Sequence, residues 1–177
     1  MQNIPFNLLF FFLSLFPLLA SAQKIELERR VPETAIPGLL LESLKDSYKG
    51  FKRMRYYEER NEEGRFFEAK FCFQKYRYSV KFDTLGQLVD VERRIPFKSI
   101  PEDISARIRQ DLRRYFQRYT IRKVQERLVN GKMIGYELEL QGKSPEHLGY
   151  FEAQYDFLGK RERIRTLERT PNDFIFF

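Results

Sequence analysis

Two stretches of this chain follow one pattern, and that repetition constrains the fold more than any other feature. VKFDTLGQLVDVERRIP runs from Val80 to Pro96, and AQYDFLGKRERIRTLERTP runs from Ala153 to Pro171. The aspartates that open the two turns, Asp83 and Asp156, are 73 positions apart. Matching turn and strand signals indicate that one supersecondary unit occurs twice in the chain.

The similarity continues upstream of these turns. RVPETAI, residues 30–36, resembles SIPEDIS, residues 99–105, and their prolines are 69 positions apart. An offset that drifts slowly along the chain is typical of a duplicated unit with small loop insertions. We therefore expect two α/β repeats, residues 23–98 and 99–177, that together form one domain.

Each repeat begins with the apolar spacing of an amphipathic helix. Apolar residues recur every three or four positions, which places them on one helical face. Pro101, followed by Glu102 and Asp103, suits a first turn, where proline loses no hydrogen bond and acids complement the helix dipole. Pro37 marks where the first regular helix begins. The two stripes are Ile36, Leu40, Leu44 and Tyr48, and then Ile104, Ile108, Leu112, Phe116 and Tyr119.

Four runs with strand-like alternation follow each helix. The turns between them carry hairpin signals, Asn130-Gly131 and the paired D-x-x-G sequences. The pattern predicts an α+β fold of tandem α-β-β-β-β repeats, with an antiparallel sheet of roughly eight strands and two helices packed on one face. The runs are residues 52–59, 65–73, 76–83 and 87–95 in the first repeat, and 121–128, 132–140, 149–156 and 160–167 in the second.

Alternation also assigns side chains to the two faces of this sheet. The apolar set is expected to form the helix-covered core. It comprises Phe67, Ala69, Phe71, Phe73, Tyr76, Tyr78, Val80, Phe82, Ile134, Tyr136, Leu138, Leu140, Phe151, Ala153 and Tyr155. The charged set is expected to face water or a partner, because charged side chains cannot be buried unpaired. It comprises Glu68, Lys70, Arg77, Lys81, Glu137, Glu139, Glu152 and Gln154.

Residues 1–22 are interpreted as a cleavable secretory signal peptide. An uncharged apolar core from Phe6 to Leu19 precedes the small residues Ala20-Ser21-Ala22, although no Lys or Arg comes before that core. The core is shorter than the roughly 20 apolar residues that span a bilayer as a helix. We expect cleavage after Ala22 and a periplasmic or secreted protein without stable membrane insertion.

The composition indicates a folded, basic protein. A charged fraction of 32% combined with 16% aromatic residues is typical of a globule with a wet surface, because disordered chains lack so many large apolar rings. The net charge of +7 could attract nucleic acid or anionic lipid. Acidic residues are interspersed with the basic ones throughout, so we interpret the charge as solvated faces and expect no nucleic-acid partner.

No residue set in the chain has the composition of a catalytic site. The lone Cys72 excludes an internal disulfide framework, and its possible partner base, His147, lies in a proline-containing loop. A hydrolase alternative would use paired carboxylates such as Glu137 and Glu139, which need a pocket to act. A calcium loop at the two turn aspartates lacks further oxygen ligands. We assign no catalytic, cofactor-binding or metal-binding residue and expect no enzyme activity.

The residues quoted above resemble a known family. The paired VPE and IPE helix starts, the [FY]D-x-L-G turns followed by a Val/Glu/Arg strand, and the secretory signal resemble the PepSY-like proteins of Gram-negative bacteria. That family is similar in fold to the secreted β-lactamase inhibitor protein. The resemblance implies a noncatalytic exported domain that binds or inhibits a periplasmic enzyme through an exposed sheet face and its hairpin loops.

Four residues are candidate contacts for such a partner. Arg53, Arg55 and Tyr57 lie on the first predicted strand, and Arg77 lies on the third. Arginine and tyrosine are enriched among the residues that dominate protein interfaces. The expected partner is a periplasmic or extracellular protein.

An alternative is a small outer-membrane β-barrel, since eight alternating strands precede a terminal DFIFF. Strands of about eight residues, where about 9–11 are needed to span, oppose it, as do the two amphipathic helices and Asp173. The tail Thr170–Phe177 is expected to be buried against the domain or docked on a partner, because an exposed FIFF promotes aggregation.

Overall fold

One antiparallel sheet of nine strands runs through the computed structural model, which describes residues 27–61 and 63–167. The strands are neighbours in space in the same order as in the chain. The expected signal peptide, with its cleavage site, and the tail Thr170–Phe177 lie outside the described residues. The strands are β1 Leu27–Val31, β2 Lys52–Asn61, β3 Gly64–Phe73, β4 Tyr76–Asp83, β5 Leu88–Arg94, β6 Arg118–Val129, β7 Lys132–Lys143, β8 Leu148–Asp156 and β9 Arg161–Leu167.

Two α-helices interrupt the run of strands, α1 Gly38–Ser47 before β2 and α2 Glu102–Tyr115 before β6. A short 3-10 helix precedes each of them, at Glu33–Ala35 and Phe97–Ser99. The expected α+β class, with an antiparallel sheet and two helices, is confirmed. Within the residues that the structure describes, neither helix has the length and apolar content needed to cross a bilayer.

The ninth strand is a difference from the roughly eight that the sequence predicts. β1 pairs with β2 from Leu27 opposite Arg60 to Val31 opposite Tyr56. Its sequence LERRV has no apolar alternation, and only Val31 is buried. Strand pairing at this position is set by the outer edge of β2, whose backbone groups need partners, and not by a pattern within β1 itself.

The helix starts are confirmed and one helix end is wrong. α1 begins directly after Pro37 and α2 directly after Pro101. Phe116 already has extended backbone angles, and Tyr119 belongs to β6. Phe116 and Tyr119 nevertheless pack with the core that α2 covers, so apolar spacing continued past the point where helical geometry ends.

The predicted turns form as expected. Asp83 Oδ1 accepts the N–H groups of Leu85 and Gln87 at 2.9 and 2.8 Å. Asp156 Oδ1 accepts those of Leu158 and Lys160 at the same distances. These carboxylate oxygens therefore hold the backbone of the two turns through hydrogen bonds. They are the same oxygens that the calcium alternative would need as ligands. Asn130-Gly131, with φ of 50° and 73°, makes the tight hairpin between β6 and β7.

The hydrophobic core consists of two clusters on one face of the sheet. Ile104, Ile108 and Leu112 of α2 cover the second half of the sheet, and Leu40 and Leu44 of α1 cover the first half. Each fully buried aliphatic side chain of this kind stabilises the fold by about 1.5–3 kcal/mol. The clusters meet at β6, where Val124 belongs to one and Leu128 packs against the other. Both residues lie on the same side of an alternating strand, so both helices cover the same face.

The predicted core residues are largely confirmed. Tyr76 is an exception, with 42% of its surface exposed, because it directly follows the tight turn between β3 and β4 at the end of the sheet. Ile134 is half-buried and belongs to neither cluster.

Replacing Gly135 with alanine tests the close approach of β7 to β8. A Cβ at this position would lie 2.1 Å from the carbonyl oxygen of Tyr155, so the backbone must shift. We expect Gly135→Ala to lower the free energy of unfolding by about 1–3 kcal/mol in urea titrations. Gly38→Ala, with no atom within 4 Å of the added methyl group, is the matched control and should be neutral or stabilising. Equal effects of the two changes would contradict the packing described here.

Glu58 gives the fold a pH-dependent stabilisation. Its carboxylate lies 2.9 Å from Arg29, 2.9 Å from Arg60 and 3.1 Å from Arg65. Hydrogen bonds from Arg29 and Arg60 lower the pKa of Glu58 to about 2. A lowered folded-state pKa stabilises the protein above the unfolded pKa, about 4.3, and this stabilisation is lost as the pH falls towards 2. The difference in unfolding free energy between wild type and Glu58→Gln should therefore be present at pH 7 and shrink below pH 4.5. A difference that stays constant with pH would contradict this assignment.

Candidate functional site on the polar face of the sheet

The sheet face opposite the helices carries charged and polar side chains from all nine strands. We call it the polar face. Cross-strand pairing places Tyr57, Glu68 and Lys81 in one row across β2, β3 and β4. Both described α-helices pack on the other side, so no α-helix in the described part of the chain covers this face.

The centre of the polar face is closed, which corrects the expectation that its charged groups face water. Only 8% of Glu68, 6% of Glu137 and 3% of Glu152 is exposed. Long neighbouring side chains, not a helix, cover these carboxylates. The burial is tolerated because the charges are paired with one another.

Lys70 joins two carboxylates of the first repeat. Its Nζ lies 2.6 Å from Glu28 and 3.0 Å from Glu68, and Glu68 also accepts the hydroxyl of Ser79. Burial would lower the pKa of Lys70, but the charges of Glu68 and Glu28 outweigh it and raise that pKa. Lys70 therefore stays charged, and its Nζ lies 4.7 Å from the centre of the Tyr57 ring.

A second set of contacts lies at the boundary between the repeats. Lys123 of β6 contacts Glu139 of β7, and Gln125 donates to Glu92 of β5 at 2.5 Å. Burial would lower the pKa of Lys123, but Glu139 and Glu92 outweigh it and raise that pKa. Burial raises the pKa of Glu92. These contacts tie β5, β6 and β7 together on the side away from the helices.

The carboxylates of the hydrolase alternative belong to this network. Glu137 accepts a hydrogen bond from Gln154 at 2.9 Å, and Glu139 contacts Lys123. Glu152, the neighbour of Glu139 across the strands, is held by Arg165 at 2.6 Å. The two carboxylates thus share one face, as expected from their spacing, and each contacts a neighbouring side chain that holds it in place.

The four predicted contact residues do not form one cluster. Arg55, Tyr57 and Arg77 lie on the polar face, by their pairing with Lys70, Glu68 and Cys72. Arg55 and Arg77 are exposed and make no side-chain ion pair or hydrogen bond within residues 27–61 and 63–167. Tyr57 is only 7% exposed, with Lys70 over its ring. Arg53 lies in a β-bulge at a φ of 60°.

A second surface lies at one end of the sheet. The turns β2–β3, β4–β5, β6–β7 and β8–β9 all lie at this end, because consecutive strands are antiparallel neighbours. Three of these turns and their flanking residues expose large apolar side chains, which we call the hairpin rim. The rim comprises Leu85, Leu88, Val89, Val129, Met133, Phe157 and Leu158.

The family resemblance implied contacts through hairpin loops, but sequence reasoning identified none of the apolar residues of the hairpin rim. Its signal was the leucine shared by the two turns, Leu85 and Leu158, which are 81% and 50% exposed. Turns usually carry polar side chains at such positions, since loops run over the protein surface. An apolar residue in the same place in two related turns was therefore a readable sign of contact with something outside the chain.

No protein-family model matches this sequence, and no curated protein does. Solved structures of the same fold exist. A BLIP-like protein from Bacteroides fragilis is 9% identical with a TM-score of 0.57, covering 80% of this chain and 92% of that one. A DUF2874 family protein from Bacteroides uniformis is 13% identical with a TM-score of 0.56, covering 74% and 89%. A candidate periplasmic protein from Bacteroides eggerthii is 12% identical with a TM-score of 0.55, covering 73% and 88%. At these identities the likeness shows the fold alone, which is BLIP-like.

Breaking one buried ion pair tests the closed centre of the polar face. Arg165→Met removes the guanidinium that lies 2.6 Å from the carboxylate of Glu152, which is 3% exposed, and should lower the free energy of unfolding by about 3 kcal/mol. Adding Glu152→Gln should recover most of that loss in urea titrations. Lys45→Met, which breaks a pair whose side chains are 48% and 51% exposed, is the control and should cost less than about 1 kcal/mol. Equal losses from Arg165→Met and Lys45→Met would show that the network is solvated and not closed.

Proposed function

We propose that this protein is an exported, noncatalytic domain that binds a protein partner through the hairpin rim and the polar face. The observation that carries the proposal is the hairpin rim itself. Large exposed apolar patches are uncommon on folded monomers, and those bordered by polar residues are typical of protein interaction sites. Here three turns at the same end of the sheet each expose large apolar side chains.

The rim is prepared for binding. Leu85 and Leu158 sit in turns whose backbone is fixed by Asp83 and Asp156, so little conformational freedom is lost when a partner covers them. Full burial of one leucine side chain contributes about 1.5–3 kcal/mol. Two such anchors and the flanking apolar residues would supply the apolar core of an interface.

The polar face supplies the second part of the proposed interface. Its buried charges are already paired, so a partner can lie on them without separating ions. Arg55 and Arg77 are exposed, and a guanidinium is suited to pairing with a carboxylate of the partner. Arg53 adds a cation at the same end of β2. The ring of Tyr57 lies beneath the ammonium group of Lys70. Arg53, Arg55 and Arg77 remain our proposed direct contacts, and Tyr57 would take part through Lys70.

One partner of ordinary size can reach both regions. A typical interface buries about 800 Å² on each protein, which corresponds to a patch roughly 28 Å across. β4 has 8 residues and is therefore about 26 Å long, with Arg77 near its beginning and the Asp83 turn at its end. A partner lying along the polar face can thus contact the rim and the arginines together.

We further propose that the chain belongs with the PepSY-like proteins and that its halves, residues 23–98 and 99–177, are copies of one unit. Support comes from the order of elements, since a 3-10 helix, an α-helix and four strands occur twice. The two aspartate turns also share the same pair of backbone hydrogen bonds. Residues 1–22 are proposed as the signal that directs the chain to the periplasm or outside the cell.

The experiment uses the purified protein as bait for periplasmic and secreted proteins, followed by affinity measurement with the purified partner. Leu85→Asp combined with Leu158→Asp should weaken binding at least tenfold, which corresponds to about 1.4 kcal/mol. Leu39→Asp is the matched control, because Leu39 is 84% exposed but lies on α1. Arg53→Glu, Arg55→Glu and Arg77→Glu together should also weaken binding. Arg113→Glu with Arg114→Glu on α2 should not.

Two outcomes would overturn the proposal. In the first, a captured partner binds the rim variant as tightly as wild type. In the second, Leu39→Asp weakens binding as much as the rim variant does, so that the helix side carries the contact.

A further inference from the structure

The sheet contains a notch at the boundary between its halves. β5 pairs with β6 only from Val91 opposite Leu128 to Arg94 opposite Gln125. The N–H of Ile95 makes one more bond, to Val124 O at 3.0 Å, and then Pro96, which has no N–H, ends the ladder. β6 begins at Arg118, beyond the end of β5, and its first residues pair with β7 alone. In the described part of the chain, β6 thus has no strand on its other side before Val124.

A groove of about 530 Å³ lies at this notch. Its walls come from the β3–β4 turn and the start of β4, from the end of β5 and the residues after it, and from the first part of β6. No Asp or Glu is among the described residues that line it. They are Lys75, Tyr76, Arg77, Arg94, Ile95, Pro96, Phe97, Ile121, Arg122, Lys123 and Val124.

Four of the five cations in the groove have no carboxylate partner. Lys123 is paired with Glu139, as described above. Arg122 donates to the neutral amide oxygen of Gln141 at 2.7 Å. Within residues 27–61 and 63–167, Lys75, Arg77 and Arg94 make no side-chain hydrogen bond or ion pair, although Arg94 is half-buried. Elsewhere on the polar face, Lys70, Lys81 and Arg165 are each paired with a carboxylate, so the groove is a site where several cations without a carboxylate lie together.

Aromatic residues and a tight turn shape the walls of the groove. The guanidinium of Arg93 lies 5.1 Å from the centre of the Tyr76 ring, and that of Arg109 lies 4.8 Å from the centre of the Phe97 ring. Gln74 and Lys75 form the β3–β4 turn with φ of 47° and 71°, the geometry of a two-residue hairpin.

We propose that the groove binds an extended acidic peptide segment of a protein partner, which pairs with the open edge of β6 and sets its carboxylates against Arg77, Arg94 and Arg122. This assignment rests on the proposed function in one respect, that the ligand is a protein. It adds a second contact region, at the end of the sheet opposite the hairpin rim.

The geometry favours a peptide over a small anion. A strand edge without a neighbour offers N–H and C=O groups that only another backbone can pair with along its length. The open part of β6, Arg118 to Lys123, extends about 20 Å at about 3.3 Å per residue, which is room for about six residues of peptide. Alternate side chains of an added strand point to opposite faces.

The two sides of the notch differ in character and so predict the ligand's pattern. On the polar face the added strand would meet Arg77 and Arg94. On the helix side it would meet Ile95, Phe97 and Ile121, which belong to or pack against the core. A segment in which acidic and apolar residues alternate satisfies both sides, and planar guanidinium groups can hold its carboxylates through paired hydrogen bonds.

The test titrates the intact protein against a fluorescein-labelled eight-residue peptide of alternating glutamate and valine, followed by fluorescence anisotropy. Saturable binding is expected. Arg77→Gln with Arg122→Gln should weaken it at least tenfold, and both positions are exposed, so the variant should fold. Arg113→Gln with Arg114→Gln, equally exposed on α2, removes the same charge and should change the affinity less than twofold.

Two altered peptides separate strand addition from simple charge attraction. A peptide with glutamine in place of glutamate should lose the binding, and so should a peptide methylated at alternate backbone nitrogens, which cannot pair as a strand. Amide hydrogen exchange should show new protection in β6 between Arg118 and Lys123. Leu85→Asp with Leu158→Asp should bind the glutamate peptide like wild type, so failure of the rim and failure of the groove are distinguishable.

The proposal is overturned by any of four results: no saturable binding, equal weakening by both arginine pairs, full binding of the methylated peptide, or exchange protection outside β6. Equal weakening by both arginine pairs would assign the binding to net charge. Full binding of the methylated peptide would assign it to a side-chain contact without strand pairing.

Discussion

The structure depends on the pairing of charges on the face of the sheet that no described α-helix covers. A sheet of nine strands has two large faces, and two helices can cover only one of them. The charged side chains of the other face must therefore pair with one another. They do so because long cations and carboxylates alternate across the strands, with Lys70 between Glu28 and Glu68, and Lys123 beside Glu139. Removing one member of such a set leaves its partner buried and charged, which is more harmful than losing a surface pair.

This arrangement divides the polar face by function. In the middle of the face the buried charged side chains are paired with one another, so few charges there are left for a ligand. The groups that we propose as contacts lie towards the two ends of the sheet. At one end the chain exposes the apolar turns of the hairpin rim, and at the other end the notch beside β6 collects cations without partners. The two ends therefore suit different parts of a protein partner, a folded apolar patch and an extended acidic segment.

The sequence predicted most of the fold because alternation and turn signals are local. Each predicted strand run overlaps a strand of the structure, and Pro37 and Pro101 marked the helix starts. β1 was missed because its pairing is decided by β2, some 30 positions away in the chain, and not by LERRV itself. The extension of the helical stripe to Tyr119 was wrong because an apolar residue can face one core from either a helix or a strand.

The sites were harder to predict than the fold for a related reason. Alternation told which side chains share the polar face, but the identity of each ion pair depends on strand register, as with Arg165 and Glu152. The notch arises because β5 ends at Arg94, opposite Gln125, while its neighbour β6 already begins at Arg118. The sequence alone does not show this difference in strand ends, because it depends on which residues of the two strands lie opposite one another. Arg77 was identified as a contact candidate, but its companions Arg94 and Arg122 were not.

The strand order also leaves β1 and β9 as the two outer strands of the sheet within the described residues. Outer strands invite a second molecule to add on, and natural sheets discourage this with charges on the edge. β1 exposes Glu28, Arg29 and Arg30, and β9 exposes Arg161 and Arg163. Two molecules that met along β9 would bring rows of arginine together, and like charges on neighbouring strands repel. The charged outer strands thus disfavour edge-to-edge pairing of two molecules, whereas the part of β6 without a neighbouring strand is the edge on which we propose that a peptide adds.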